Sequence, residues 1–196
     1  PIYATPATSD LAELVLTDAA EIQVEDAAFK RKRHRKEGRR GRHPEVPLFT
    51  VKEVRKTIPR FEEVPYGEPV QVNDRVRVFF HDAGHILGSS ILDVEVAENG
   101  TTRRIVFSGD LGQWGKPILR DPTFLDQADY LVMESTYGDR DHEKRDDIET
   151  QMAAVISQTV AAGGNVVVPT FAIERAQELM FHVSRLADAG RIPRVP

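Results

Sequence analysis

Three segments between residues 75 and 107 alternate polar and apolar side chains, and this pattern constrains the fold more than any other in the chain. They are RVRVFF at 75–80, ILDVEV at 91–96 and RIVF at 104–107. Alternation with a period of two is typical of strands that bury one face. Asn99-Gly100 lies between the second and third segments and is a strong two-residue hairpin signal. The sequence therefore predicts an antiparallel sheet here.

The two ends of the chain show helical patterns instead. Near the start, TPATSDLAELVL is typical of a first helix with Ser9 as its candidate N-cap. A second helical stretch is predicted from Asp18 to about Lys36. Short strands are predicted at 2–5, 61–64 and 130–133. At the other end, helices are predicted over 147–162 and 173–187, and the fully apolar run between them, NVVVPTF at 165–171, is predicted to be a strand. This order favours a parallel sheet covered on both faces, with a domain boundary near residue 140.

Composition excludes several classes of protein. The 196 residues include no Cys, so there is no disulfide framework and no Cys-ligated metal site. No apolar run approaches the roughly 20 residues of a membrane-spanning helix, and the start does not resemble a signal peptide. We expect a cytoplasmic protein without a membrane partner. The chain starts at Pro1 inside a strand-like segment, so we also expect an internal piece of a longer protein.

The net charge of −5 conceals a strong asymmetry. Residues 30–43, KRKRHRKEGRRGRH, carry nine Lys or Arg and one Glu, a local charge of +8, so the remaining 182 residues carry −13. A basic run on an acidic body fits an arm that contacts phosphates. A solvated, self-repelling loop or helix end explains the same run, and the sequence leaves both interpretations open.

Three polar residues follow apolar strands directly: His85, Asp110 and Glu134. Loops that leave one edge of a sheet converge, so these side chains can meet despite their separation along the chain. Glycines flank His85 and Asp110 and permit tight backbone turns. Imidazole and carboxylate groups suit zinc. Each residue alone has an ordinary structural explanation, as a hydrogen-bonded polar group or a turn cap.

Taken in order, HDAGHILGSS, FSGDLG and MESTYGDR are more specific than any single residue. They resemble two metal-site motifs of the metallo-β-lactamase superfamily, followed by the first motif of its β-CASP nuclease branch. GGNVVVPTFAIERAQELM resembles the opening of a β-CASP domain. PIYATPATSDL resembles the segment after the superfamily's His-x-His-x-Asp-His motif. The Glu-Ser-Thr-Tyr-Gly form of the third string is similar to the motif of the RNA-processing members. These include the endonuclease of pre-mRNA 3′ cleavage and its bacterial and archaeal relatives.

The resemblance implies an α/β fold in two parts. Residues 1–140 would form part of a metallo-β-lactamase αββα sandwich, and residues 141–196 would begin an α/β β-CASP domain. The parent protein would be a metal-dependent hydrolase, a ribonuclease that cleaves single-stranded RNA with two zinc ions. A homodimer or a processing complex would be compatible with this family.

Residue roles carry over at the matching positions. His85 would be a ligand of the first zinc, and Asp110 would be a catalytic ligand that bridges both ions. Glu134 would be a catalytic-site acid that orients a histidine from later in the protein. Arg175 matches a helix arginine that would contact a substrate phosphate, although solvation explains an arginine there equally well.

The chain also departs from the family pattern. His-x-His-x-Asp-His does not occur in it, so His85 and Asp110 alone should bind metal poorly and catalyse nothing. A non-catalytic scaffold subunit of an RNA-processing complex is therefore an alternative, and a DNA-directed β-CASP nuclease is another. A small-molecule hydrolase fits less well, because such enzymes lack the ESTYGDR string and the helix that follows.

Overall fold

The computed structural model describes residues 1–140 and 147–194. This part of the chain is a mixed α/β structure, as predicted. Four α-helices are present in it: α1 (Pro6–Lys36), α2 (Val51–Thr57), α3 (Ile148–Ala161) and α4 (Arg175–Asp188). The strands are β1 (Ile2–Ala4), β2 (Phe61–Glu63), β3 (Pro69–Asn73), β4 (Val76–Asp82), β5 (Ser90–Glu98), β6 (Thr101–Phe107) and β7 (Tyr130–Val132).

Five strands form one sheet in sequence order, β3-β4-β5-β6-β7. The first four pair antiparallel, and β7 lies parallel to β6. Asn99 and Gly100 both have positive φ, at 50° and 77°, as the predicted hairpin turn requires. The parallel pairing matters for function, because it brings the carboxyl ends of β6 and β7 to the same edge of the sheet. A separate pair, β1 and β2, is parallel.

The helix α1 is longer than predicted and begins earlier. Thr5, not Ser9, is its N-cap, and the Thr5 hydroxyl accepts a hydrogen bond from Thr8 N–H. Pro6 occupies the first turn, where its missing N–H costs nothing. No break separates two helices before Asp18, because the sequence there contains neither Gly nor Pro. One helix therefore runs from the edge of the sheet into the basic run.

The helices α3 and α4 form a hairpin around Ala153, Leu186 and Ile192. The strand predicted at 165–171 is wrong: within the described residues this segment pairs with no strand, and Val167 and Phe171 are exposed. An apolar run forms a strand only where a neighbouring strand can accept its backbone hydrogen bonds. The predicted domain boundary near residue 140 adjoins residues 141–146, which lie outside the described residues, and it stays a prediction.

The core beneath the sheet edge is small. Ala83, Ile91 and Val106 are buried there, with Leu111 and Leu125 packed against them. Of the helices described here, none has the length and apolar character needed to cross a membrane.

Candidate active site

The loop after β4 presents His85 at the edge of the sheet. Gly84 and Gly88, on either side, have positive φ of 63° and 87°. The Ser89 hydroxyl accepts hydrogen bonds from the backbone N–H groups of His85, at 3.1 Å, and Ile86, at 3.2 Å. Ala83 N–H donates to the Ser89 carbonyl at 3.2 Å and closes the loop. The backbone of His85 is therefore held from both sides.

The start of α1 supports the same loop. The hydroxyls of Thr5 and Thr8 each donate to the Gly88 carbonyl at 2.9 Å. Thr5 is almost completely buried. A Cβ on Gly88 would lie 2.6 Å from the backbone nitrogen of Thr8, so only glycine fits this approach. The end of the long helix thus fixes the loop that carries His85.

The loop after β6 carries Asp110 and packs directly against the His85 loop. Gly112 N–H donates to the Ala83 carbonyl at 2.8 Å. A Cβ on Gly112 would lie 1.7 Å from the carbonyl oxygen of Gly84. Two backbones approach this closely only where neither has a side chain in the way. The glycines therefore bring the two loops into contact.

This packing brings the side chains of His85 and Asp110 together. Nε2 of His85 lies 4.0 Å from Oδ2 of Asp110. The His85 side chain is 41% exposed and that of Asp110 is 73% exposed, so both remain open to a ligand from solvent. Donors separated by this distance can approach one small ion with only a slight rotation, since two ligands at about 2.1 Å in tetrahedral geometry lie about 3.4 Å apart.

Glu134 connects the loop after β7 to the loop that carries Asp110. Leu111 N–H donates to Oε1 of Glu134 at 2.7 Å, and Glu134 N–H donates to the Ser108 hydroxyl at 3.2 Å. The pKa of Glu134 lies below its usual range, mainly because its carboxylate accepts the Leu111 N–H. The Thr136 hydroxyl and, to a smaller extent, the His85 ring lower the pKa further. Glu134 is therefore an ionised carboxylate that fixes the backbone beside Asp110.

The chemistry of this donor set fits zinc, but the number of donors is small. Catalytic zinc sites have three protein ligands, often His and carboxylate. In residues 1–140 and 147–194, no group of three or more His, Asp or Glu side chains is arranged to hold a metal ion. His85 and Asp110 could supply two ligands, and further ligands would have to come from outside this described part.

The helix α4 reaches the same region through an ion pair that the sequence did not reveal. Nζ of Lys116, on the loop after β6, lies 2.7 Å from Oε1 of Glu178. Arg175 contacts the other oxygen of Glu178 at 3.1 Å and is half exposed. The structure thus places Arg175 on α4 beside a carboxylate, and not in contact with His85 or Asp110.

Glu174, just before α4, is buried in an unusual backbone conformation. Its φ of 70° and ψ of −63°, with a hydrogen bond of 3.0 Å from Arg175 N–H to the Ile173 carbonyl, define a γ-turn of the rare, strained type. Burial, and then the nearby Glu178 carboxylate, raise the pKa of Glu174. Arg175, Lys116 and, least of all, His85 act in the opposite direction on the pKa of Glu174.

Sequence reasoning missed Thr5, Thr8, Lys116 and Glu178 as neighbours of the site. Their contacts span 62 to 83 residues of sequence, and no local pattern encodes such pairings. Gly112 was visible as a glycine flanking Asp110, but its close approach to Gly84 follows only from the three-dimensional packing of the loops.

Comparison with known proteins provides an independent line of evidence. The ribonuclease TTHA0252 of Thermus thermophilus is 33% identical over 196 residues, which is all of this chain and 39% of that protein. The transcription termination factor FttA of Thermococcus kodakarensis is 34% identical over 98% of this chain, and RNase aCSPSF2 of Saccharolobus solfataricus is 38% identical over 65% of it. These relatives are β-CASP proteins of the metallo-β-lactamase superfamily.

Over its whole length the chain is similar to RNA-processing proteins of the β-CASP family. The resemblance seen in the motifs is thereby confirmed. The chain matches no protein-family model. It spans 39% of the length of the Thermus relative and 27% of the Thermococcus relative. The sheet edge with His85, Asp110 and Glu134 lies within the region that is similar to these relatives.

Proposed function

We propose that the protein is an RNA-processing nuclease that hydrolyses phosphodiester bonds with the help of metal ions. The observation that carries this proposal is the approach of His85 Nε2 to Asp110 Oδ2 at 4.0 Å on an open sheet edge. The names of the similar proteins support RNA as the substrate, since two of the three described above are called ribonucleases.

Zinc is the metal we propose, with two ions in the complete site. His85 would hold one ion, and Asp110 would contribute to both. When bound, zinc supplies a Lewis acid that lowers the pKa of water and offsets negative charge on phosphate oxygens. The same nitrogen and oxygen donors also accept Mn or Fe, so the identity of the metal is part of the proposal.

The residues of this chain have distinct tasks in the proposed site. Asp110 is the catalytic residue, because its exposed carboxylate faces the space that metal and phosphate would share. Glu134 is a positioning residue: it accepts the Leu111 N–H and fixes the loop of Asp110. Loop carboxylates of this kind also orient metal-bound imidazoles. Arg175, half exposed and steadied by Glu178, would contact a phosphate of the strand.

The substrate we propose is single-stranded. The side chains of His85 and Asp110 lie at the rim of the sheet, beside the ion pair that ties the loop after β6 to α4. We propose that the domain predicted to begin at residue 141 covers this rim. A narrow cleft would then admit one strand and exclude a duplex.

The test is cleavage of labelled single-stranded RNA by the protein at its full natural length. We expect cleavage that chelator abolishes and zinc restores, and that Asp110→Ala reduces by at least about 100-fold. A variant that cuts at the wild-type rate would refute the role of Asp110. Absence of metal-dependent cleavage by the wild type would favour the scaffold alternative. Preferential cleavage of single-stranded DNA would favour a DNA-directed nuclease.

A second candidate function is transcription termination. It is favoured by the 34% identity to the termination factor FttA over 98% of this chain. The two candidates differ in their substrate: free RNA in one case, a transcript held by RNA polymerase in the other. Release of a transcript from a stalled polymerase, measured beside cleavage of the same RNA free in solution, discriminates between them.

A further inference from the structure

A strongly basic surface at the end of α1 lies far from the candidate active site. All nine Lys and Arg side chains of residues 30–43 are exposed. They give this short stretch a charge of +8, whereas the rest of the chain carries −13. Nothing in the proposed reaction uses these residues.

This basic segment is folded and does not trail from the helix. After α1 ends, the chain turns and runs back along the helix. Nη1 of Arg31 donates to the Glu45 carbonyl at 2.9 Å, and the His34 ring contacts the Glu45 carboxylate. Further along, Leu48 N–H donates to the side chain of Gln23 at 2.9 Å. Contacts at two positions along α1 therefore hold the returning loop against the helix.

The folded loop and the helix end form a shallow, open depression of about 420 Å³ on the surface. We call it the basic cup; it is lined by Arg31, His34, Arg35, Arg39, Arg40 and Glu45. Arg39 pairs with Glu37. Among the described residues, neither Arg35 nor Arg40 has an ion-pair partner. The cup therefore has uncompensated guanidinium groups arranged around a concave surface, which suits planar, bidentate contacts to phosphate.

An exposed aromatic ring lies on α1 among the same basic side chains, on a helix face turned away from the cup. Phe29 is 62% exposed, and the guanidinium of Arg33, one turn later, is centred 6.0 Å from its ring. Exposed aromatic rings among basic side chains can stack the bases of single strands, whatever their sequence.

The distance between the cup and the candidate site is set by α1. Thr8, at the start of the helix, contacts the loop of His85, whereas Arg35 is in the last turn. At 1.5 Å per residue the two lie about 40 Å apart. A stacked strand with 3.4 Å per nucleotide needs about 12 nucleotides to cover that distance.

We infer that the basic cup is a second RNA-binding site, which holds the phosphate backbone of a single strand whose cleaved bond lies at the sheet edge. The inference takes its polymer, RNA, from the proposed function. It adds a location and a length dependence that the catalytic site does not contain. Short RNAs would occupy the sheet edge alone, and long RNAs would occupy both sites.

The experiment compares two variants with the same change of charge. In one, four arginines of the cup become Gln; in the control, four exposed arginines elsewhere become Gln. The cup variant changes Arg31, Arg35, Arg39 and Arg40, and the control changes Arg55, Arg60, Arg75 and Arg194. Binding of a fluorescent 30-nucleotide RNA is measured by anisotropy over a range of salt concentrations, at full natural length, with Asp110→Asn present to prevent cleavage.

We expect the salt dependence of log Kd to fall by about 3 in the cup variant, because each lost phosphate contact on a single strand contributes about 0.7 to the slope. The control should lose less than about 1. Equal losses in the two variants would overturn the inference, since they would show that only total charge matters. An unchanged slope in the cup variant would also overturn it and would leave solvent or an acidic protein as the partner of the basic segment.

A charge-neutral variant separates the shape of the cup from its charge. A Cβ on Gly41 would lie 2.7 Å from Oε1 of Glu45 and 3.2 Å from the His34 ring. Gly41→Val should therefore displace the Glu45 carboxylate from the His34 ring, loosen the loop at that contact and weaken binding of the 30-nucleotide RNA about fivefold, because the arginines lose their preorganised arrangement. Unchanged affinity, with unchanged helix content by circular dichroism, would show that the folded cup is not required.

Failure of this inference is distinguishable from failure of the nuclease proposal. Cleavage of 5-nucleotide and 30-nucleotide RNAs by the cup variant with Asp110 restored gives the readout. If the cup binds RNA, KM rises for the long RNA only, and kcat stays the same. If RNA binds through the cup and is never cut, the nuclease proposal fails and the cup stands. If both RNAs are cut as by the wild type, the cup fails and the nuclease stands.

Discussion

Gly112 packs its backbone against Gly84 so closely that a Cβ at position 112 would lie 1.7 Å from the Gly84 carbonyl oxygen. The neighbouring atoms belong to the backbone, so no side-chain rotation relieves the overlap. This contact joins the loop of His85 to the loop of Asp110. The geometry of the candidate site therefore depends on two glycines that have no chemical role.

Gly112→Ala should destabilise the fold by about 3 kcal/mol or more, because overpacking against backbone forces the two loops apart. Urea unfolding measures the change. Gly100→Asn is the control: nothing lies within 4 Å of a Cβ there, and Asn tolerates its φ of 77°. A cost below about 1 kcal/mol for Gly112→Ala would mean that the loops do not pack as described.

Glu134→Gln removes the negative charge of the side chain but keeps an oxygen that can accept the hydrogen bond from Leu111 N–H. The Gln carbonyl can still accept from Leu111 N–H, so stability should change by less than about 1 kcal/mol. Cleavage should nevertheless fall about 10- to 100-fold, as when other carboxylates that orient metal ligands are neutralised. Rates of RNA cleavage and urea midpoints test both parts. Wild-type cleavage by this variant would remove Glu134 from the site.

The pKa of Glu134 also sets the sign of a pH effect. Because it is lowered in the folded protein, its contribution to stability is complete above the ordinary Glu pKa and is lost as the pH falls through the folded value. Glu134→Gln should therefore lose stability relative to wild type at pH 7 and match it in strong acid.

Much of the sheet could be predicted from sequence, because its signals are local. Alternation in β4, β5 and β6 and the Asn99-Gly100 turn connect neighbours in the chain. The strand β3 was missed, since it begins with Pro69 and contains polar Gln71 and Asn73. The segment 165–171 shows the opposite error: its apolar composition is typical of a strand, but the segment is not one. A strand also needs a neighbouring strand to accept its backbone hydrogen bonds.

The residues of the candidate site could be proposed from the sequence, but the contacts that hold their loops in place could not. Polar side chains after apolar strands pointed to His85, Asp110 and Glu134. The hydroxyls of Thr5 and Thr8 that hold the His85 loop lie 80 or more residues away along the chain. Such contacts follow from packing and leave no periodic trace in the sequence.

Asp93 is a buried carboxylate that makes a paired contact with Arg104, at 2.9 Å and 2.7 Å, and lies 3.4 Å from His81. Burial alone would raise the pKa of Asp93, but the hydrogen bonds and charge of Arg104, together with those of His81, outweigh it and the pKa is lowered. Asp93→Asn should cost about 2 kcal/mol at pH 7, because it leaves a half-buried guanidinium without its counter-charge.

The pH dependence of that cost checks its cause. The ion pair stabilises the fold above the ordinary Asp pKa of about 3.9, and this stabilisation is lost as the pH falls through the lower, folded value. Urea unfolding at pH 7 and pH 2.5 should show the cost shrinking in acid. Glu95→Gln, which removes the partly exposed partner of the exposed Arg77, is the control and should cost less than about 1 kcal/mol. An equal cost of Asp93→Asn at both pH values would contradict the account.

Glu174→Gly should stabilise the protein by about 1 to 2 kcal/mol at pH 7, because it relieves a strained φ of 70° and removes a buried carboxylate. The pKa of Glu174 is raised, so its destabilising effect appears as the pH rises above the ordinary Glu value. Thermal unfolding of Glu174→Gln gives the comparison: its gain should vanish at acidic pH, whereas that of Glu174→Gly should partly remain. Loss of stability in both variants would contradict this.

The central claim is that His85 and Asp110 hold metal together, and the zinc content of the protein at its full natural length tests it most directly. The wild type should contain about two zinc ions per chain, as two-metal hydrolytic sites do. His85→Ala and Asp110→Ala should each lower that content to about one or less while the protein stays folded. Wild-type zinc content in both variants would contradict the account.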